Sequence, residues 1–262
     1  MSPKTTSSDA TLADFVPMQD GRTRLLVRKG WEDAAEHLSD PDPLRGGETV
    51  AGGREAHPIV TLPNGTRVVV RRYRRGGLMR LVNRGLYFGG NRAFDELRAA
   101  ERARAGGVRT PAIVAAIEQP ARMAGYRAWL ATELVADGRD FADWLGSETD
   151  EAKRDAVIRE AARQIALMHA AGVAHPDLNL RNLLVARGEV WLLDFDKAAG
   201  APDPVAPARR ERDLRRLARS ARKLEAPLTP AHWAAFRDAY GDGWPPGLDL
   251  AKVLQEKVAR VE

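Results

Sequence analysis

The segment 157–194 constrains the fold of this 262-residue chain more than any other. Apolar residues recur at helical spacing over 157–168, and Gly172 supplies a stop signal. Two short apolar runs then flank a tight turn at 187–188, and the second run ends at Asp194. This order predicts a helix, a polar loop and a β-hairpin, so the polar residues that flank the hairpin are expected at one of its ends.

The polar loop has the sequence His-Pro-Asp-Leu-Asn-Leu-Arg-Asn over residues 175–182. Phosphoryl transfer from a nucleotide needs one carboxylate to accept the proton of the attacking hydroxyl, and an amide oxygen and a second carboxylate to hold a metal ion against the phosphates. Asp177 suits the first role, and Asn182 and Asp194 suit the second. The pattern, completed by Asp194-Phe195-Asp196, is close to the catalytic signatures of protein kinases. The bland alternative is an Asx-rich turn with an exposed acid.

Neighbouring polar residues receive lesser roles. Asn179 or Arg181 is predicted to contact the γ-phosphate, and a surface acid is the alternative partner of Arg181. His175 is expected to brace the loop through hydrogen bonds, and His169 is expected to be a satisfied structural histidine. Asp196 stands where the kinase pattern has Gly, and either a second metal ion or a capping role fits it.

Composition sets the broad class. Hydrophobic residues make up 44% and charged residues 29% of the chain, as in ordinary globular proteins. The absence of cysteine excludes disulfides, thiolate metal sites and cysteine nucleophiles. No apolar run approaches the roughly 20 residues of a membrane span, and residues 1–10 are too polar for a secretory signal. A cytoplasmic protein is therefore expected.

The net charge of +5 is unevenly placed. Residues 56–94 contain eight arginines and no acid. Guanidinium groups suit phosphate and carboxylate oxygens, so this window favours an anionic partner, either an acceptor or an anionic membrane surface. The arginines predicted to make that contact are Arg72, Arg74, Arg75, Arg80 and Arg84. A second basic cluster at 209–223 is expected to be a solvated surface.

The order of predicted elements indicates an α+β protein of two lobes. Residues 1–45 are predicted to be an N-terminal extension that is partly irregular, with a loose tail over 1–20. Residues 46–135 form a strand-rich N-lobe with one helix, and residues 136–262 form a helix-rich C-lobe. The individual predictions are a strand at 22–27, a hairpin at 59–62 and 66–71, a loop with a short helix at 76–91, a helix at 93–105 and a strand at 126–135.

A nucleotide must also be gripped in the first lobe. Protein kinases use a strand lysine paired with a helix glutamate; here Arg71 occupies the strand position and Glu96 is its natural partner. Gly52 and Gly53 precede the hairpin and would let backbone N–H groups approach phosphates, although such a pair usually marks only a turn. Glu133, at the join of the lobes, completes the predicted nucleotide-binding set.

These stretches together resemble the 3-deoxy-D-manno-octulosonic acid (Kdo) kinases of the lipopolysaccharide kinase family. The matching segments are 70–77, 92–97, 169–182, 191–197 and 213–224, of which Arg-Arg-Gly-Gly at 74–77 and Arg-Ser-Ala-Arg-Lys-Leu at 219–224 are the most specific. Pro176 and Glu55 depart from the family pattern.

The resemblance implies a protein-kinase-like fold and transfer of the γ-phosphate of ATP, with Mg²⁺ or Mn²⁺, to a hydroxyl of Kdo on a lipid A precursor. It also implies a peripheral place on the cytoplasmic face of the inner membrane. Asp177 would be the catalytic acid/base, Asn182 and Asp194 the metal ligands, and Arg71 with Glu96 the phosphate-gripping pair.

Three alternatives stay open from the sequence. The same residues would serve a kinase-like enzyme with another acceptor, such as a heptose, an aminoglycoside or a protein side chain. A nucleotide-binding pseudokinase is disfavoured because the acids and the amide are all present. A nucleic-acid-binding protein is disfavoured because few aromatic residues interleave the arginine window, and no nucleic-acid partner is expected.

Overall fold

The computed structural model describes residues 12–39, 48–52, 55–73, 92–121, 125–201 and 203–255. The chain divides into two compact units. The first comprises Met1–Glu101 and Pro111–Leu134, and the second comprises Arg102–Thr110 and Val135–Glu262.

The first unit is built on a seven-stranded sheet with the order β1-β2-β6-β7-β5-β4-β3. Neighbouring strands in this order pair antiparallel. Its strands are β1 Phe15–Asp20, β2 Thr23–Arg28, β3 Thr49–Gly52, β4 Glu55–Thr61, β5 Arg67–Arg72, β6 Ile113–Pro120 and β7 Tyr126–Glu133. The predicted hairpin is confirmed by the pairing of β4 with β5, and the predicted strands at 22–27 and 126–135 are confirmed by β2 and β7.

The prediction of a loose tail over residues 1–20 is wrong for Phe15–Asp20, which is a strand of the sheet. This strand contains Pro17, and proline within a sheet is confined mainly to edge strands because it cannot donate a ladder hydrogen bond. The structure places β1 at such an edge, with Pro17 opposite Leu26.

Two helices accompany the sheet, α1 Ala34–Leu38 and α2 Arg92–Ala105. Helix α1 lies against β2 and β6 and buries Ala34, Ala35 and Leu38 in the apolar core. Helix α2 confirms the helix predicted at 93–105; its residues up to Glu101 belong to the first unit. The loop predicted at 76–91 lies outside the described residues.

The second unit is rich in helices. They are α3 Phe141–Ser147, α4 Glu151–Ala170, α5 Pro207–Lys223, α6 Pro230–Tyr240 and α7 Leu250–Gln255. Short strands join them, namely β8 Arg139–Asp140, β9 Val173–Ala174, β10 Leu183–Ala186, β11 Glu189–Leu192 and β12 Ala199–Gly200. This contrast between a strand-rich and a helix-rich unit confirms the α+β class.

Local chemistry fixes both ends of the long helix α4. The Asp150 carboxylate accepts from the N–H groups of Ala152 and Lys153 at 3.0 and 3.2 Å, which satisfies two of the unpaired donors of the first turn. The helix stops before Gly172, as predicted. Gly172 has a φ of +79°, and a Cβ atom there would lie 2.1 Å from the carbonyl oxygen of Ala201, so only glycine fits.

The segment Arg102–Thr110 belongs to the second unit, although it lies within the range predicted for the N-lobe. Two hydrogen bonds of Arg109 explain this. Its N–H donates to Oε1 of Gln164 in α4 at 2.7 Å, and its carbonyl accepts from the N–H of Leu192 at 2.8 Å.

Candidate active site

The hairpin β10–β11 positions two of the predicted site residues. Leu183 pairs with Leu192, and Arg187 and Gly188 form the turn with φ values of +53° and +80°, the pattern that closes a two-residue hairpin. At the open end, the N–H of Leu193 donates to the carbonyl of Asn182 at 2.8 Å. Asn182 is thus hydrogen-bonded to Leu193, the residue directly before Asp194. This bond confirms the prediction that Asn182 and Asp194 lie at the same end of the hairpin.

The loop before the hairpin closes around one main-chain oxygen. The carbonyl of Asp177 accepts from Nδ2 of Asn179 at 2.7 Å and from Nδ2 of Asn182 at 3.0 Å. Asn179 also accepts from the N–H of Arg181 through Oδ1, which caps a short 3₁₀-helix at Leu180–Asn182. Nδ2 of Asn182 donates to this carbonyl, so the amide oxygen Oδ1 faces away from it. An amide oxygen is one of the ligand types that Mg²⁺ binds.

The Asp177 carboxylate is partly exposed, with 36% of the side chain accessible. Its Oδ1 accepts a hydrogen bond from Nη2 of Arg216 in α5. A candidate base is thus reachable from solvent while one of its oxygens is held by a guanidinium, an arrangement that the sequence did not indicate.

Asp194 has left-handed backbone geometry, with a φ of +60°. This region is uncommon for residues other than glycine, although Asp tolerates it better than most, and such residues concentrate at functional sites. The following Phe195 is buried, and its ring lies 5.5 Å from that of His175. The N–H of Asp196 donates to Oδ1 of Asp194 at 3.4 Å, so Asp196 contributes to holding that carboxylate.

A buried network of polar side chains holds the start of the loop 175–182 in place. Asp213 in α5 accepts through Oδ2 from the N–H of His175 at 2.7 Å and lies 3.2 Å from Nε2 of His169. Nδ1 of His169 lies 2.7 Å from the hydroxyl of Tyr240. The His175 ring, in turn, bonds through Nε2 to the carbonyl of Leu193 at 3.2 Å. The bracing role expected of His175 and the structural role expected of His169 are both confirmed.

The ionisation of this network follows from its burial. Desolvation lowers the pKa of His169 despite the opposing effect of Asp213, so the imidazole is neutral. Burial raises the pKa of the Tyr240 hydroxyl to about 12, so it keeps its proton. The consistent assignment is that Tyr240 donates to Nδ1 of His169, while Nε2–H of His169 donates to Asp213.

Neither Asp213 nor Tyr240 was singled out by the sequence, because they lie 38 and 71 residues from their histidine partners. One signal was available for Asp213. It is an acid on the buried face of a helix, beside Leu214 and Leu217, and an acid in that position needs a buried donor.

Arg181 has a partner in the structure. Its Nη1 lies 3.3 Å from Oδ2 of Asp140, whose other oxygen caps α3 by accepting from the N–H of Ala142 at 2.8 Å. Asp140 is therefore the acid that pairs with Arg181, as the alternative interpretation expected. Contact between Arg181 and a phosphate stays a prediction.

In the first unit, the predicted contact between Arg71 and Glu96 is confirmed. Nη2 of Arg71 donates to both carboxylate oxygens of Glu96, at 2.5 Å from Oε2. Glu96 is buried, and the hydroxyl of buried Tyr73 also donates to it. The guanidinium of Arg71 lies 4.9 Å from the centre of the Tyr73 ring. Strand, helix and aromatic ring thus hold one cation in a defined place.

Of the other residues predicted to bind nucleotide or acceptor, three lie in the described part of the chain. Gly52 ends β3, and Glu133 ends β7 opposite Val68. The guanidinium of Arg72 lies 5.6 Å from the Trp129 ring. Outside the described residues lie Gly53, Arg74, Arg75, Arg80 and Arg84.

Within the described ranges, no cluster of three or more His, Cys, Asp or Glu side chains is arranged to hold a metal ion. The pair of Asn182 and Asp194 fits a different class of site, in which Mg²⁺ takes one or two carboxylates from the protein and completes its shell with water and substrate phosphates. No helix in the described part of the chain has the length and apolar character needed to cross a membrane.

Known protein families and individual proteins show which sequences this chain resembles. Residues 49–240 match the model of the lipopolysaccharide kinase (Kdo/WaaP) family. A 3-deoxy-D-manno-octulosonic acid kinase of Xanthomonas oryzae pv. oryzae is 38% identical over 228 residues, covering 83% of this chain and 88% of that protein. The kinase of the same name from Vibrio vulnificus is 31% identical over 224 residues, covering 82% and 91%.

Among solved structures, WaaP in complex with acyl carrier protein aligns with a TM-score of 0.57 and 21% identity, covering 89% of this chain and 92% of WaaP. This likeness shows a shared fold, and it confirms the predicted kinase-like architecture.

Proposed function

The chain belongs to the lipopolysaccharide kinase (Kdo/WaaP) family and is a kinase, and we propose that it transfers the γ-phosphate of ATP to a hydroxyl of Kdo on a lipid A precursor. The observation that carries the proposal is the loop bonded around the Asp177 carbonyl, found in a chain whose relatives are named 3-deoxy-D-manno-octulosonic acid kinases.

In this proposal Asp177 acts on the acceptor. Its exposed carboxylate accepts the proton of the sugar hydroxyl as that oxygen attacks the γ-phosphorus and the bond to the ADP leaving group breaks. The two asparagine amides on the Asp177 carbonyl, and the bond from His175 to Asp213, keep the carboxylate at a fixed point of the loop.

Asn182 and Asp194 are the residues proposed to hold Mg²⁺, or Mn²⁺ in its place. When bound, such an ion neutralises charge on the phosphate oxygens. Two observations support this assignment. The Asn182 amide donates to the Asp177 carbonyl through Nδ2, which leaves Oδ1 facing away from that bond. Asp194 lies directly after the hairpin and has a positive φ.

Arg71 is the proposed grip on the nucleotide phosphates, with Glu96 and Tyr73 as its support. A guanidinium carries several N–H donors in a planar fork, a geometry that matches the oxygens of a phosphate group. Its 22% exposed side chain supports that role, because it is neither sealed in the core nor loose in solvent.

The acceptor is a lipid, so we further propose peripheral binding at the cytoplasmic face of the inner membrane. The support is the arginine-rich composition of residues 56–94, since the anionic leaflet attracts cations by about 1 kcal/mol for each Lys or Arg near the surface. Of the contact residues proposed, Arg72 is the one in the described part of the chain.

An acceptor panel tests the function. Purified protein with Mg-ATP is offered a Kdo-bearing lipid A precursor, a heptose-bearing core lipid without Kdo, an aminoglycoside and a generic protein substrate. Phosphate on the Kdo-bearing lipid alone is expected. Transfer to another acceptor and not to Kdo would replace the proposal with a different kinase activity.

A further inference from the structure

Helix α5 carries a line of cations on its exposed face. The exposed residues between 209 and 223 are Arg209, Arg212, Arg216, Arg219 and Lys223, at alternating spacings of three and four. The spacing puts all five on one stripe, about 21 Å long at 1.5 Å per residue. Within the described residues, only the central one, Arg216, has an ion-pair partner, and that partner is Asp177.

The neighbouring face of α5 fixes the position of Arg216 relative to the loop. Asp213, one turn before it, accepts from the N–H of His175 at 2.7 Å. Ser220, one turn after it, accepts from the N–H of Leu180 at 3.1 Å. The helix is thus bonded to the loop on both sides of Asp177, so the guanidinium at Asp177 is a pre-positioned charge and not a chance surface contact.

The contact with Asp177 uses a small part of what Arg216 offers. A guanidinium has five N–H donors in a planar fork, and only Nη2 is directed at Asp177. The side chain is 49% exposed, and no other described residue accepts from it. A second carboxylate therefore has access to N–H donors of the same guanidinium that holds the proposed base.

We propose that Arg216 forms a carboxylate subsite for the acceptor and selects an acidic sugar over a neutral one. This inference rests on the proposed function and deepens it. The reacting hydroxyl must come within about 3 Å of Asp177, so a carboxylate on the same sugar ring is brought within reach of a guanidinium already bonded to Asp177. A neutral sugar would leave those donors to water.

The test compares two acceptors that differ only in charge. These are the Kdo-bearing lipid A precursor and the same lipid with the carboxylate converted to a carboxamide. kcat/KM is measured on both for wild type, Arg216→Gln and Arg216→Lys. Arg212→Gln is the matched control, because Arg212 is an exposed cation one turn away on the same stripe without an ion-pair partner among the described residues.

Wild type is expected to prefer the carboxylate by about ten- to hundredfold, the range for a hydrogen bond to a charged group. Arg216→Gln should lose that preference mainly through a higher KM for the carboxylate, and Arg216→Lys should keep part of it. Arg212→Gln should behave as wild type, and matching thermal unfolding curves would show that all variants are folded.

Two results overturn the inference alone. One is a wild type that phosphorylates both acceptors equally well. The other is an Arg216→Gln variant whose kcat/KM falls equally on both, which would make Arg216 a residue that only positions Asp177 or contacts phosphate. A wild type inactive on both acceptors would instead refute the proposed function, and the subsite with it.

Discussion

The side-chain amide of Asn182 donates to the main-chain carbonyl of Asp177, with Nδ2 and O separated by 3.0 Å. One hydrogen bond therefore joins the proposed metal ligand to the proposed base. The bond orients the Asn182 amide so that Oδ1, the proposed metal ligand, faces away from Asp177. It also holds the main chain of Asp177, which carries the proposed base. Both functions should fail together when this amide is removed.

Replacing Asn182 with Ala is expected to lower kcat/KM by about 10- to 100-fold and to raise the Mg²⁺ concentration needed for half-maximal rate. The initial rate measured against Mg²⁺ concentration gives both values. Asn179→Ala is the control for the Mg²⁺ dependence, because Asn179 bonds the same carbonyl but is not a proposed metal ligand. An Asn182→Ala enzyme with the metal dependence of wild type would rule out the assignment.

Removing the guanidinium of Arg71 should destabilise the fold as well as weaken nucleotide binding. Arg71→Ala removes a guanidinium that pairs with the buried Glu96 charge, and breaking a buried pair typically costs about 3–5 kcal/mol in the free energy of unfolding. Tyr73→Phe removes one donor to the same carboxylate and should cost about 1–3 kcal/mol. Denaturant unfolding measures both.

The double variant Arg71→Ala/Glu96→Gln separates the two effects of that change. Neutralising the glutamate should recover much of the stability while ATP binding stays weak. Recovery of ATP binding together with stability would show that Arg71 serves the fold and not the nucleotide.

Acid should destabilise the protein through His169. Burial lowers the pKa of His169 in the folded state below its ordinary value of 6.5, so below that pH the unfolded chain binds a proton that the folded chain does not. Stability therefore falls as pH decreases from about 6.5 toward the lowered folded pKa, with a slope of up to about 1.4 kcal/mol per pH unit. Unfolding free energies of wild type and His169→Gln between pH 5 and 8 should converge at the acid end. A constant difference across that range would contradict this origin.

Arg181 is predicted to act on the phosphate rather than to stabilise α3. Its ion pair with Asp140 joins side chains that are 47% and 24% exposed, and exposed pairs contribute about 0–1 kcal/mol. Arg181→Gln should leave the unfolding midpoint nearly unchanged while lowering kcat about 100-fold, the low end for a residue that stabilises developing charge. An unchanged kcat would leave Arg181 with the structural partnership alone.

The local part of this site was predictable because its signals are local. The hairpin, the glycine stop and the spacing of Asp177, Asn182 and Asp194 lie within one stretch of sequence, and β10–β11 with the Asn182 bonds match the expectation. The Arg71–Glu96 pair was predictable for a different reason, since the order of strand and helix follows the kinase arrangement. Their catalytic and binding roles stay predictions.

The contributions of α5 were not predictable in the same way. The cluster 209–223 was interpreted as a solvated surface, and its exposed stripe agrees with that composition. The contacts from Asp213, Arg216 and Ser220 to the catalytic loop depend on how α5 packs beneath that loop. They bridge about 40 residues of chain, and no periodicity or short motif encodes such a distance.

The role of Asp177 as the base for phosphate transfer to Kdo is tested by mass spectrometry of the acceptor lipid. Wild type and Asp177→Asn, which keeps the size of the side chain, are incubated with Mg-ATP and a Kdo-bearing lipid A precursor, and the lipid is weighed by mass spectrometry. A mass gain of one phosphate is expected with wild type and essentially none with Asp177→Asn, while both proteins bind ATP and unfold alike. Equal phosphorylation by the two proteins would contradict the role of Asp177, and no phosphorylation by wild type would contradict the acceptor.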